Sequence, residues 1–124
     1  MSKRIWKGRV EAMNGGPTST QLNFRNGAKV TVVSQGFASR GDEFTGPSGK
    51  YGMTRWNAIS PDNYIGALLV KTGGVYTAAG GGLLNWTPPS DDNVEFIYND
   101  TRGGFGDNAG GYDVEMEYDT EDLL

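Results

Sequence analysis

From Tyr112 to Asp119 the chain alternates without a break. Tyr112, Val114, Met116 and Tyr118 are apolar or aromatic, and Asp113, Glu115, Glu117 and Asp119 between them are acidic. A repeat of two is the side-chain period of an extended strand, whose successive residues point to opposite faces of a sheet. One face is then buried and the other solvated, so the pattern demands a second layer over the apolar side. The same period recurs less cleanly elsewhere. In residues 5–13, Trp6, Gly8, Val10 and Ala12 alternate with Lys7, Arg9 and Glu11. In residues 20–24, Leu22 and Phe24 alternate with Gln21 and Asn23. Residues 28–37 are rich in β-branched side chains, and residues 64–71 form a denser apolar run of the kind a buried strand shows. Further strands are expected near 75–78, 83–86 and 94–99. No segment carries a helical period.

Turn signals separate these runs: Asn14-Gly15-Gly16-Pro17, Asn26-Gly27, Gly73-Gly74, Gly80-Gly81-Gly82 and Pro88-Pro89-Ser90-Asp91. Seven or eight short strands at this spacing predict an all-β sandwich. With 124 residues there is enough chain for one core and too little for two. The expectation is a single domain over 1–124 with a short, frayed acidic tail from about 119. Trp6, Phe24, Phe37, Tyr64 and Phe96 are read as core. Residues 39–61 stand apart as a long polar stretch carrying Phe44, Tyr51, Met53 and Trp56. Loops of that length inside a compact domain are usually functional.

A net charge of −4 argues against nucleic acid as a partner. No apolar run approaches a membrane span, so no membrane insertion is expected. The start is not followed by an apolar stretch of signal-peptide length, which predicts a protein cytoplasmic as synthesised and leaves open export without a cleaved signal. There is no cysteine and no histidine. A metal site in this chain therefore has only oxygen ligands to offer, which favours a hard ion such as calcium.

The segment best suited to such an ion is the loop 100–108, between the expected strand at 94–99 and the last strand. Asp100, Asp107 and Asn108 carry ligand oxygens, and Gly103, Gly104 and Gly106 allow the backbone to curl and aim carbonyls inward. Calcium takes about six to eight oxygens at about 2.3–2.6 Å. Two carboxylates, one amide and two carbonyls supply most of them. The same composition also suits an ordinary hairpin loop, in which these residues serve turn geometry alone.

The order of short segments along the chain resembles the bacterial calcium-dependent galactophilic lectins of the PA-I type. The resemblance runs through Trp6-Lys7-Gly8, residues 30–33, Gly36-Phe37-Ala38-Ser39-Arg40-Gly41, Gly46-Pro47, Gly66-Ala67-Leu68-Leu69-Val70-Lys71, Ile97-Tyr98-Asn99-Asp100 and residues 103–110. It implies a small jelly-roll-like β-sandwich of the galactose-binding kind, usually a homotetramer. It also implies one Ca2+ per subunit bridged directly by two sugar hydroxyls. Position by position, the implied ligands are the carbonyls of Arg40 and Gly104 and the side chains of Asp100, Asp107 and Asn108. The implied partners are galactose-containing glycans or glycoconjugates, met by Arg40, Met53, Trp56, Asp100, Thr101, Gly104 and Asp107. Met53 and Trp56 fall where the family has a His and a Gln that hydrogen-bond galactose. An apolar thioether and an indole cannot repeat those contacts, although Trp56 offers a face on which a pyranose can stack.

Two other readings compete. Asp100 and Asp107 can be imagined as the carboxylate pair of a glycosidase. No histidine, cysteine or lysine is placed to assist, so an enzyme is not expected. The alternative is a calcium-stabilised structural or interaction module of the same fold, with lost or altered sugar specificity.

Overall fold

The computed structural model describes residues 2–41 and 43–124. Met1, the first residue of the expected single domain, and Asp42, within the polar stretch 39–61, lie outside the described residues. The C-terminal alternation becomes the longest strand, β9 (Ala109–Asp119). It lies between β1 (Lys3–Glu11) and β3 (Val30–Ser39), antiparallel to both. Met116 is registered against Trp6 on one side and Val32 on the other, so the inward faces of the three strands coincide. The other edge of β3 pairs with β4 (Phe44–Thr45) at one end and β7 (Gly82–Trp86) at the other, which completes a five-stranded sheet. A four-stranded sheet runs in the order β2 (Thr18–Ser19), β8 (Glu95–Tyr98), β5 (Leu68–Thr72), β6 (Val75–Ala78).

The two sheets share one core, which includes Val30, Val32, Tyr112 and Met116 from the first and Leu68, Val70, Phe96 and Tyr98 from the second. Aromatic rings bridge the layers. Trp6 stacks on Phe96 with centroids 5.6 Å apart, and Tyr98 meets Tyr112 at 6.0 Å. Leu68, Leu69 and Val70 are all fully buried, as a strand covered on both faces must be. The expected all-β sandwich is the fold. On the outer face of the larger sheet, the acids of β9 meet the bases of β1. Lys7 lies 3.8 Å from Glu115, and Arg9 lies 3.1 Å from Asp113. These exposed pairs each contribute little to stability, but they leave the acidic face of β9 with opposite charges beside it.

Four expectations change. Residues 20–24 are not a strand: Gln21 takes φ 59°, and the Thr20 hydroxyl donates to the Val94 carbonyl while accepting from the Leu22 N–H. Backbone bonds still join Thr20 and Leu22 to Val94, but the side-chain bonds and the positive φ at Gln21 interrupt a regular ladder. The run at 64–71 enters its strand only at Leu68, because Gly66 turns the chain at φ 87° and the Ala67 N–H bonds back to Tyr64. Of the residues read as core, Tyr64 is only half-buried and outside the core, and Phe37 is 71% exposed. Phe37 shares the outward parity of Val33 and Gln35, and hydrophobicity alone does not reveal that face. The acidic tail is not frayed. Thr120–Asp122 form a 3-10 turn, Leu123 packs on the core opposite Phe24, and the Leu124 N–H donates to the Asn23 carbonyl.

Candidate functional site

Residues 99–108 connect β8 to β9. Asn99, fully buried, fixes the start of the connection. Its Oδ1 accepts from the Ser60 N–H at 2.9 Å, and its Nδ2 lies 3.0–3.1 Å from the carbonyls of Ser60, Asn63 and Tyr64. One side chain thereby ties the polar stretch before β5 to the end of β8. The connection then curls. The Gly104 N–H donates to the Thr101 carbonyl at 2.9 Å, and a Cβ on Gly104 would fall 2.3 Å from the Thr101 hydroxyl oxygen, so any side chain there would displace that hydroxyl. Phe105 is buried against Tyr98 and anchors the underside of the curl. The Asn108 N–H returns to the Phe105 carbonyl just before β9 begins.

This path brings Asp100 and Asn108 together. They are only 6% and 4% exposed. The Asn108 amide nitrogen donates to Asp100 Oδ2 and to the Ala12 carbonyl, both at 2.8 Å, and the Thr101 N–H donates to Asp100 Oδ1 at 2.7 Å. Two acceptors around Nδ2 settle which end of the amide is which. Asn108 Oδ1 is then left buried with no hydrogen-bond partner among the described residues. The Asp100 carboxylate still has acceptor capacity, since each oxygen takes one hydrogen bond here.

Arg40 arrives from the neighbouring strand. Ser39 of β3 pairs with Ala109 of β9, so the next residue, Arg40, emerges beside Asn108. Gly41 follows with φ 112°, and a Cβ there would fall 2.8 Å from Asp107 Oδ2. The close approach of Asp107 to the end of β3 therefore depends on glycine. Above these groups lies an open hollow of about 480 Å³, bordered by Arg40, Asp100, Thr101, Gly104 and Asp107, with Gly103 and Gly106 completing the loop side. Arg55 and the buried Ile65 also line it.

Of the positions singled out from the sequence, Arg40, Asp100, Thr101, Gly104 and Asp107 line one hollow. Asn108 lies beneath it, bonded to Asp100. Met53 and Trp56 do not line it. Trp56 is 88% exposed, and the Met53 backbone is held by Lys50 on one side and Ile65 on the other. The reason is a long-range bridge. Ala58 pairs with Thr101, the Arg102 N–H donates to the Asn57 carbonyl, and the Ala58 N–H closes a turn onto the Arg55 carbonyl. That turn sets Arg55 at the hollow. Nothing local in the sequence separates Arg55 from its neighbours. Asn99 had a visible signal, an amide between a dense apolar run and Asp100, but its role became clear only once Ser60 and Tyr64 lay next to it.

The donor set suits a hard cation. It combines a buried carboxylate, a buried and unpartnered amide oxygen, a second carboxylate and carbonyls at a glycine-rich curl, with no nitrogen or sulfur ligand.

Comparison with known proteins gives the kinship. A family model described as PA-IL-like protein matches residues 5–121. The chain belongs to the PA-IL-like family. Among relatives, Lectin A of Photorhabdus laumondii is 32% identical over 114 residues, which cover 90% of this chain and 89% of that protein. Among solved structures, the EclA N-terminal domain, described as a PllA-like lectin, aligns with a TM-score of 0.77 at 25% identity, covering 92% of this chain and 96% of that one. The PA-IL-like match spans both sheets and the whole of the 99–108 connection.

Proposed function

We propose that this PA-IL-like protein is a calcium-dependent lectin that takes galactose or galactose-containing glycans, two sugar hydroxyls meeting the ion directly. Kinship with proteins named as lectins supports carbohydrate binding. The observation that carries the calcium half is the buried, unpartnered Oδ1 of Asn108 beside the Asp100 carboxylate. A desolvated acceptor left unsatisfied costs about 1–3 kcal/mol, and a cation coordinated there removes that cost. Asp100, Asp107 and Asn108 would hold the ion by side chains, and Arg40 and Gly104 by carbonyls. When bound, calcium supplies coordination positions for two vicinal hydroxyls. Asp100 and Asp107 would accept hydrogen bonds from those hydroxyls, the Thr101–Gly104 turn would border the ring, and Ile65 would offer an apolar edge. Arg55 takes the rim position expected of Met53 and Trp56. The protein acts on the sugar by binding alone, and it assembles as a homo-oligomer, a tetramer by family resemblance.

The test is thermal melting and glycan binding with calcium and with a chelator. Calcium at about a hundred times its dissociation constant stabilises the fold by about 2.7 kcal/mol, or roughly 10 °C in Tm for a domain of this size. Asp100→Ala removes both this shift and sugar binding, and glycan binding that survives in the variant places the site elsewhere. A second reading follows from the absence of Met53 and Trp56 from the hollow: a calcium-stabilised module with lost sugar binding. Calcium-dependent melting with no glycan signal would select it.

A further inference from the structure

We infer that the site selects anionic hexosides, galactosides carrying a carboxylate or a sulfate, and that Arg55 is the residue that reads the charge. This rests on the calcium-dependent sugar reading above and names its ligand class. Arg55 borders the hollow, is exposed, and has no ion-pair partner among the described residues, although Asp100 and Asp107 border the same hollow. Lys3, Lys7, Arg9, Arg25 and Lys50 each meet an acid, whereas Arg4, Lys29, Lys71 and Arg102 show no ion pair among the described residues but do not border the hollow.

The position of Arg55 is held and its head is not. The turn onto Ala58, the Ala58–Thr101 bridge and the Asn57–Arg102 hydrogen bond pin its backbone to the loop that carries Asp100. The side chain projects from this fixed base. A guanidinium presents a planar fork of N–H groups that matches carboxylate and sulfate with two parallel bonds, a geometry a single neutral hydroxyl cannot use.

Charge favours the same ligand. Among the lining residues, Asp100 and Asp107 contribute two negative charges, which a divalent cation held between them would cancel. The charge of Arg55 would then stand unopposed by the lining carboxylates, on a chain whose net charge is −4. A neutral sugar leaves that local excess facing solvent, whereas an anionic substituent on the ring offsets it. Two hydroxyls on the ion would fix the ring, and an anionic substituent directed toward Arg55 would meet its guanidinium.

The experiment is calorimetric titration in calcium buffer with methyl β-galactoside, methyl β-galacturonoside and galactose 6-sulfate, at low and high salt. Both anionic sugars, or one of them, bind the wild type about tenfold tighter than the neutral one, as charge-assisted bidentate contacts imply. The preference shrinks in high salt because the contact is exposed. In Arg55→Gln the preference falls to about twofold or less, while Arg55→Lys keeps an intermediate value, having the charge without the fork. Melting curves of both variants establish that the fold is intact. Preference for only one anionic sugar identifies the group Arg55 reads. Equal binding of neutral and anionic sugars by the wild type, or a preference unchanged in Arg55→Gln, overturns the inference and leaves the calcium-dependent sugar reading standing. Failure of all three sugars in calcium overturns both.

Discussion

Gly41 and Asp107 meet at the edge of the hollow with no room for a side chain between them. A methyl group at Gly41 would sit 2.8 Å from Asp107 Oδ2 on a backbone at φ 112°. Gly41→Ala is therefore expected to push Asp107 outward and to add about 1 kcal/mol of backbone strain. Calcium affinity, followed as the calcium-induced rise in Tm, should fall about tenfold, since roughly 1.4 kcal/mol separates each decade. An unchanged rise would mean that Asp107 is not a ligand. Tyr112 is a second residue with a defined role. Its hydroxyl lies 2.6 Å from the Gly66 carbonyl and 2.9 Å from that of Gly46, holding the backbone beside the site. Burial pushes its pKa up to about 12. The fold favours the neutral phenol. Its stabilisation is fully present below the unfolded value of about 10 and is lost as pH rises toward about 12. Tyr112→Phe should lower stability by about 1–3 kcal/mol at neutral pH by removing the hydroxyl partner of the Gly66 carbonyl, the Gly46 carbonyl keeping the Gly49 N–H, and it should flatten the alkaline limb of the stability–pH profile. Denaturant melts from pH 8 to 12 test both halves. The site residues differ in how far the sequence alone reveals them. Asp100, Asp107 and Asn108 were visible as ligand types in one glycine-rich window, and Arg40 and Gly104 required a family resemblance, because any residue type can offer a carbonyl. Arg55 was hidden, because the bridge from Ala58 to Thr101 that positions it joins segments far apart in sequence.

Strands were the most legible elements, and the connections between them the least. β1, β3, β5, β8 and β9 fall where alternation or a dense apolar run placed them, because burial of one face or both is written into those residues. The interruption at 20–24 and the late start of β5 have a common cause: the Leu22 N–H bond to the Thr20 hydroxyl and the turn at Gly66 are local bonds that compete with the ladder. The stretch 39–61 was recognisable as functional but not as a shape. What shapes its end is Asn99, whose amide holds three carbonyls and accepts one N–H from the following segment. Asn99→Ala removes these bonds and leaves buried backbone groups unsatisfied, at a cost of about 2–4 kcal/mol for the cluster. The variant should melt lower, and amide exchange should quicken in residues 58–66 more than in β9. Uniform acceleration across both sheets would show that Asn99 serves the whole fold and not this loop.

Across the whole molecule, the outer face of the larger sheet combines paired charges with exposed apolar side chains. Ile5, Val33 and Phe37 share that outward parity, and Leu84 is exposed on β7 beside β3. Aromatic and aliphatic side chains surrounded by polar neighbours are the usual material of a subunit contact. Association also matters to the proposed function, because a shallow open site makes few bonds to one sugar. Several such sites on one assembly can raise avidity by about a hundredfold or more where their spacing fits the glycan surface. The wild type is expected to be a homo-oligomer by light scattering or sedimentation at micromolar concentration. Phe37→Glu places a carboxylate on the exposed face and should shift the mass toward smaller species. It should reduce binding to a multivalent glycan surface far more than binding to free monosaccharide, since Phe37 does not border the sugar site. A monomeric wild type would remove the avidity argument. An oligomer unaffected by Phe37→Glu would move the contact off this face and toward another exposed surface of the sandwich.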